Sequence, residues 1–201
     1  KGLSIKVEGD ANDYVGKSLS GAKIIIRPNK NSLLNSNENT IIGNTCMYGS
    51  TSGYLFAAGQ AGERFAVRNS GATAVVEGCG SNACEYMTGG NIIILGLTGD
   101  NFGAGMTGGM AFVYDSDDNF KYRVNEETLI FDKIRSNYWE NVLKEFIVKH
   151  YNETGSKHAK RILDDWENEK LKFVQICPKE IIHTLEYPLS ENPQNQSLQK
   201  T

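Results

Sequence analysis

GYLFAAGQAGERFAVRNSGATAVVEGCGSNACEYMTGGNIIILGLTGDNFGAGMTGGMAFVY, Gly53 to Tyr114, is built on a short glycine-centred unit. A Ser-Gly or Thr-Gly pair ends at Gly53, Gly71, Gly89 and Gly108, in steps of 18, 18 and 19 residues, and Ser20-Gly21 precedes Gly53 by 32. Three to five residues past each glycine the chain reads Ile24-Ile25-Ile26, Phe56-Ala57-Ala58, Ala74-Val75-Val76, Ile92-Ile93-Ile94 and Ala111-Phe112-Val113. Every one of those positions is apolar.

A unit of about 18 residues with one tight turn and one short apolar strand cannot bury its own core, so copies must stack. The expected fold is mainly β, a right-handed parallel β-helix. The glycine supplies a left-handed or strained corner, and the Ser or Thr before it bonds back to a neighbouring amide. Strands stacked about 4.8 Å apart form a parallel sheet. These runs show no apolar/polar alternation, as in sheets covered on both faces. The outward residues Ile25, Ala57, Val75, Ile93 and Phe112 therefore need something to cover them. Glu63 to Arg68 reads as a less regular strand, giving each coil two or three.

With 201 residues, net charge −3, 21 glycines and only 4 prolines, the chain has the composition of a soluble solenoid rather than a disordered one. No large basic excess exists, which argues against nucleic acid or an anionic membrane as partner. No apolar run approaches the ~20 residues of a membrane span. Lys1 to Asp10 lacks the apolar core of a signal peptide, so a cytoplasmic location is expected. Cys46, Cys79, Cys84 and Cys177 are too dispersed for a metal or iron–sulfur site and read as buried thiols.

Taken in order, Leu3, Ile5 and Val7 mark a first strand, and Gly9 to Asp13 a polar turn. Asp10 and Asp13 could serve as the acid/base pair of a polysaccharide-cleaving β-helix, but turn chemistry explains them as well. Arg27 to Thr40 is a polar loop interrupting the repeat. Gly103-Ala104-Gly105-Met106-Thr107-Gly108 matches the dinucleotide fingerprint G-x-G-x-x-G, yet a strand pattern follows where a helix is required. Asp115, Asp117, Asn119 and Glu126 fit positions 1, 3, 5 and 12 of a calcium loop, but Phe120 stands where glycine is needed. A polar hairpin turn, with a strand over Lys121 to Val124, is the better expectation.

From Asn125 the grammar becomes helical. Trp139, Leu143, Phe146, Ile147 and His150 share a helix face, with Asn137 and Glu140 as a capping pair. A second helix starts at Ser156 and carries Ala159, Ile162, Leu163 and Trp166 on one side. These two helices are suited to cover the outer face of the β-helix. His150 reads as a hydrogen-bonded core histidine, and no histidine sits in a nucleophile motif. Lys172 to Cys177 alternates as a last strand. The expected division is residues 1–124 as β-helix, 125–187 as a helical segment packed on it, and 188–201 as a disordered tail.

Several blocks resemble the C-terminal glycine-repeat (GXGXG) domain of the large (alpha) subunit of glutamate synthase: Gly9 to Gly21, Ile41 to Gly78, Cys84 to Gly90, Leu97 to Asp115 and His150 to Leu163. The resemblance covers most of residues 1 to about 180. It implies a right-handed β-helix without catalytic residues of its own, bracing glutaminase and flavin-dependent synthase domains. The resembled enzyme converts glutamine and 2-oxoglutarate to glutamate using FMN and an iron–sulfur cluster. Neither its N-terminal nucleophilic cysteine nor its cluster cysteines have a counterpart here, so catalytic, cofactor-binding and metal residues are all expected to be none. If the resemblance holds, Lys1 starts partway through the solenoid. The implied partners are other glutamate synthase domains or subunits, or a second copy through the open β-helix end.

Alternatives come from other classes. A left-handed hexapeptide acyltransferase would need aliphatic residues every six positions, but stepping from Val67 gives Thr73, Cys79 and Glu85. A polysaccharide lyase or hydrolase would need a carboxylate cluster in a groove. A third candidate is the scaffold subunit of formylmethanofuran dehydrogenase, which is similar to the same domain.

Overall fold

The computed structural model describes residues 2–191. Its main sheet is assembled from β1 (Ser4–Glu8), β2 (Ser20–Arg27), β4 (Ser52–Ala57), β6 (Ser70–Val76), β7 (Thr88–Ile94) and β8 (Gly108–Tyr114), all parallel and in that order. A minor sheet pairs β3 (Thr40–Ile42) with β5 (Gln60–Ala61) on another side of the coils. One row of the ladder runs Ile25, Phe56, Val75, Ile93, Phe112. A polypeptide that returns to the same row about every 19 residues is a β-solenoid.

Strand parity divides the apolar residues into two cores. Ile26, Leu55, Ala57, Ala74, Val76, Ile92, Ile94, Ala111 and Val113 point into the solenoid. Ile25, Phe56, Val75, Ile93 and Phe112 point out and lie in a second cluster with Leu143, Ile147, Ala159 and Ile162 of the helices. The outward residue on β4 is therefore Phe56, not Ala57 as expected. In the other four coils one residue (Ala22, Ala72, Gly90 or Gly109) stands between the corner glycine and the first paired residue. In β4, Tyr54 follows Gly53 and pairs directly with Lys23 and Thr73. A one-residue slip exchanges the faces of a strand.

Glu63–Arg68 is not a strand. Each coil crosses there through a ribbon in which alternate residues are left-handed: Tyr14, Gly16, Ser18; Thr45, Met47, Gly49; Arg64, Ala66, Arg68; Asn82, Cys84, Tyr86; Asn101, Gly103, Gly105. Their φ values lie between 53° and 71°, and only four of them are glycines. Left-handed backbone costs a non-glycine residue about 1–2 kcal/mol. Hydrogen bonds between coils offset it. The amides of Arg64 and Arg68 donate to Ser81 and Glu85 of the next coil at 2.8 and 2.9 Å, and that of Ala66 donates to Cys46 of the previous one at 2.9 Å.

Three of the Ser/Thr-Gly corners owe their glycines to closeness rather than handedness, whereas Gly21 and Gly53 have φ of 107° and 104°. At Gly71, Gly89 and Gly108 a Cβ would sit 2.3, 2.4 and 2.1 Å from the carbonyl oxygens of Thr51, Ser70 and Thr88 in the preceding coil. No real Cβ tolerates that approach. Each coil thus rests its corner on the backbone of the one before.

The last coil is closed by a plug. Asp115 accepts the amides of Asn119 and Phe120, at 3.0 and 3.2 Å, and sets a short 3-10 turn over Phe120–Tyr122 in place of the expected hairpin strand. Phe120 packs edge-on to Phe102, with ring centroids 5.2 Å apart. β9 (Leu129–Lys133) follows, and β10 (Phe173–Pro178) inserts antiparallel between β8 and β9. Residues after 125 therefore extend the sheet as well as covering it.

The cover is α1 (Asn137–Thr154), α2 (Lys157–Asp164) and a single turn, α3 (Trp166–Glu169), which carries Trp166 separately from α2. Asn137 and Glu140 do not cap α1. The Glu191 carboxylate receives both the backbone amide and the side-chain amide of Asn137, while Glu140 accepts from Trp166 Nε1. Leu189 is buried in the outer core and Ser190 bridges to Arg135. Leu189 and Ser190 are thus buried, and the partners of Ser190 and Glu191 lie about fifty residues upstream, where local composition cannot show them. The rest of the expected tail, 192–201, lies outside the described residues.

Two glycine substitutions separate crowding from handedness. Gly89→Ala should lower stability by about 3 kcal/mol or more, since backbone must move. Gly155→Ala, with φ 73° and nothing within 4 Å of the added carbon, should cost about 1 kcal/mol. Urea denaturation of the two variants reads the difference.

Candidate functional site

Glu77 follows β6, and parity after outward Val75 and inward Val76 turns it toward the helices. It is fully buried, as is His150, whose Nε2 stands 3.2 Å from Glu77 Oε1. The Ser156 hydroxyl donates to the same oxygen while accepting the Ala159 amide at 2.9 Å as N-cap of α2. Thr154 steadies the turn: its hydroxyl donates to the His150 carbonyl at 2.6 Å and accepts the Ser156 amide at 3.2 Å. One carboxylate of the solenoid thereby fastens the end of α1 and the start of α2.

A carboxylate out of water needs such partners. Burial pushes Glu77 toward the neutral form, but the hydrogen bond and charge of His150, with the Ser156 hydroxyl, outweigh it and hold the carboxyl below its usual range. Glu77 Oε2 and His150 Nδ1 have no hydrogen-bond partner among the described residues. On the next turn His158 Nε2 donates to the Leu95 carbonyl, and burial lowers the imidazole pKa against that bond. A second cluster holds the far end of the cover. Tyr114 donates to Glu169, which also receives Arg161 and Lys172 at 3.1 and 2.9 Å.

Ser, His and Glu meet here in the wrong order for nucleophilic catalysis. A triad runs from hydroxyl to imidazole to carboxylate, with the hydroxyl exposed to substrate. In this cluster hydroxyl and imidazole both bond the carboxylate, and all three side chains are buried. The chemistry available is adhesion of helix to sheet.

The remaining sequence candidates are dispersed. Asp13 accepts the Asn44 amide at 2.8 Å in the stacking of the first two coils. Gly103 and Gly105 are left-handed ribbon positions, the Tyr86 ring lies where a Gly105 Cβ would point, and β8 rather than a helix follows. Asp115 gives Oδ1 to backbone amides, and Asn119 Nδ2 donates to Asp117 at 2.9 Å. No group of three or more His, Cys, Asp or Glu residues suited to a metal occurs among the described residues. Burial pushes the Cys46 thiol up to about 11 and Cys79 and Cys177 to about 12, and it holds Cys84 well above its ordinary value.

Sequence reading placed His150 in the core but missed Glu77. Parity turns that acid outward just past the strand, but nothing local says which helix residue meets it, 73 residues away.

A glycine-cornered β-solenoid with a helical cover defines a class of structural repeat domain. The chain belongs to the GXGXG motif family, whose model matches residues 1–179. It is similar to the large chain of NADPH glutamate synthase from Azospirillum brasilense, 60% identical over 94% of this chain and 12% of that one. NADH glutamate synthase of Schizosaccharomyces pombe is 47% identical over 98% of this chain and 9% of its own length. The large chain from Bacillus subtilis is 46% identical over 89% and 12%. The chain thus spans about an eighth or less of these relatives. No helix among the described residues is long and apolar enough to cross a membrane.

Two groups set the response to acid. The Glu77 pKa is lowered from 4.5, so its contribution to stability is complete above that value and is lost as pH falls through the folded pKa. The His158 pKa is lowered from 6.5, so stability is complete above 6.5 and declines as pH falls from there toward the folded value. His158→Gln should flatten the upper part of the acid profile and Glu77→Gln the lower. At pH 7 Glu77→Gln should cost about 2–3 kcal/mol, because a weaker acceptor faces buried donors. Urea midpoints from pH 8 to pH 3 test both.

Proposed function

We propose that the chain is a non-catalytic scaffold domain of a glutamate synthase large chain. Inter-coil hydrogen bonds along the solenoid axis make it stiff. That stiffness would hold the domains converting glutamine and 2-oxoglutarate to glutamate at a fixed separation. The observation that carries the reading is the open edge of β1. Among the described residues Ser4–Glu8 pairs with β2 on one side only, and Leu3 and Ile5 are 58% and 43% exposed. A parallel edge with unpaired backbone and exposed aliphatic side chains is completed by another strand. The occupant proposed for it is a further coil of the same large chain, with a second copy of this chain as the other outcome.

The test pairs this chain with a glutamate synthase large chain lacking the matching region. Glutamine-dependent glutamate formation should return on mixing and should fall at least tenfold with Ile5→Asp, while Lys133→Glu, on β9 at the far end, leaves it unchanged. Glutamine hydrolysis or flavin absorbance in this chain alone would overturn the scaffold reading.

A further inference from the structure

The loop between Arg27 and Thr40, which the repeat does not require, leans over the first turn of α2 and encloses a cavity of about 350 Å³. Its lining is one-sided. Arg27, Lys30, Lys157 and His158 contribute basic groups, Asn and Ser/Thr side chains supply most of the rest, and no Asp or Glu is present. Neither Lys30 nor Lys157 takes part in an ion pair or side-chain hydrogen bond among the described residues. Carboxylates adjoining the site have partners of their own, and Glu38, next to Asn37, accepts the Asn35 side-chain amide at 3.1 Å. Glu8 holds one end of the Arg27 guanidinium, and Glu77, under the floor, is bonded by His150 and Ser156.

Arg27 adds a less ordinary observation. Its side chain is only 17% exposed, and its Nε is buried with no hydrogen-bond partner. Glu8 takes one terminal nitrogen and Nε is shielded from solvent, so the guanidinium charge beside the cavity is answered by a single carboxylate. The α2 helix contributes again from the opposite side. Ser156 satisfies the amides of Ala159 and Lys160, whereas the amides of Lys157 and His158 have no partner among the described residues. Free amides at a helix start carry partial positive charge and favour an anion. Cations gathered around one cavity repel each other unless a counter-charge lies between them.

We propose that this cavity binds a small dianionic oxyanion, a phosphate ester or a dicarboxylate. One acid group would lie against the Lys157 and His158 amides, and the second charge between Lys30 and Arg27. His158 stays neutral near pH 7, since burial lowers its pKa, so the positive charge comes from Arg27, Lys30 and Lys157. The proposal can fail separately from the scaffold reading: Arg27 adjoins Glu8 at the end of β1, but anion binding is read in this chain alone, with no large chain to complement.

The 201-residue chain is titrated with inorganic pyrophosphate and, separately, with malonate, at ionic strength fixed by sodium chloride, while backbone amide NMR signals are followed. Saturable shifts are expected at Ser156, Lys157, His158 and residues 29–36, with half-saturation below about 10 mM for the favoured probe. The stronger probe identifies the acid group as phosphoryl or carboxylate. Lys157→Glu and Lys30→Glu should each weaken binding at least tenfold, and Lys133→Glu, a remote reversal of equal charge, should leave it unchanged. Shifts that follow ionic strength for every anion, or an equal loss with Lys133→Glu, would overturn the site. So would shifts confined to residues outside the cavity.

Discussion

Each coil rests on the previous one where a carbonyl oxygen meets a residue with no side chain. The approaches at Gly71, Gly89 and Gly108 leave room for hydrogen only. Glycine there fixes the spacing at one corner, and the parallel ladder fixes it along the strand. The third side cannot also be an ordinary strand, because a coil of about 19 residues has to turn sharply to return to the same row. Alternating left-handed residues achieve that turn, and their strain is tolerated because amides pair up and down the stack. Eleven non-glycine residues are held in a conformation that each would avoid alone.

From this spacing the cover follows. Short strands with apolar residues on both faces present an outer column, Ile25 to Phe112, that water cannot be allowed to meet. Phe56, Ile93 and Phe112 are at most 2% exposed beneath α1 and α2. Apolar contact is non-directional and would let helices slide. Glu77, with His150 and Ser156, adds direction at one end, and Tyr114 with Glu169 at the other. A buried carboxylate is costly without partners, so only the docked position satisfies it.

Much of the fold was legible. Residues three to five past a recurring glycine gave the strands of the main sheet, and four of the five outward residues followed from parity. The fifth failed at Gly53, where a missing residue between corner and strand shifts Phe56 outward. The helices were legible from Leu143, Ile147, Ala159 and Ile162, and α2 from its Ser156 cap. The ribbon was not legible. Left-handed positions are held by Arg64, Asn82, Cys84 and Tyr86 as readily as by Gly103, because hydrogen bonds to neighbouring coils impose the conformation.

The amino-acid sequence by itself determined the solenoid, its period and the need for a helical cover, since these rest on spacing and apolarity along the chain. Tertiary structure alone decided which carboxylate lies beneath His150, which residue caps α1 and what charge surrounds the cavity at α2. Those depend on groups separated by fifty to a hundred and thirty residues, such as Asn137 with Glu191 or Lys23 with Glu153. Their meeting is a consequence of coil stacking, and no local pattern encodes it.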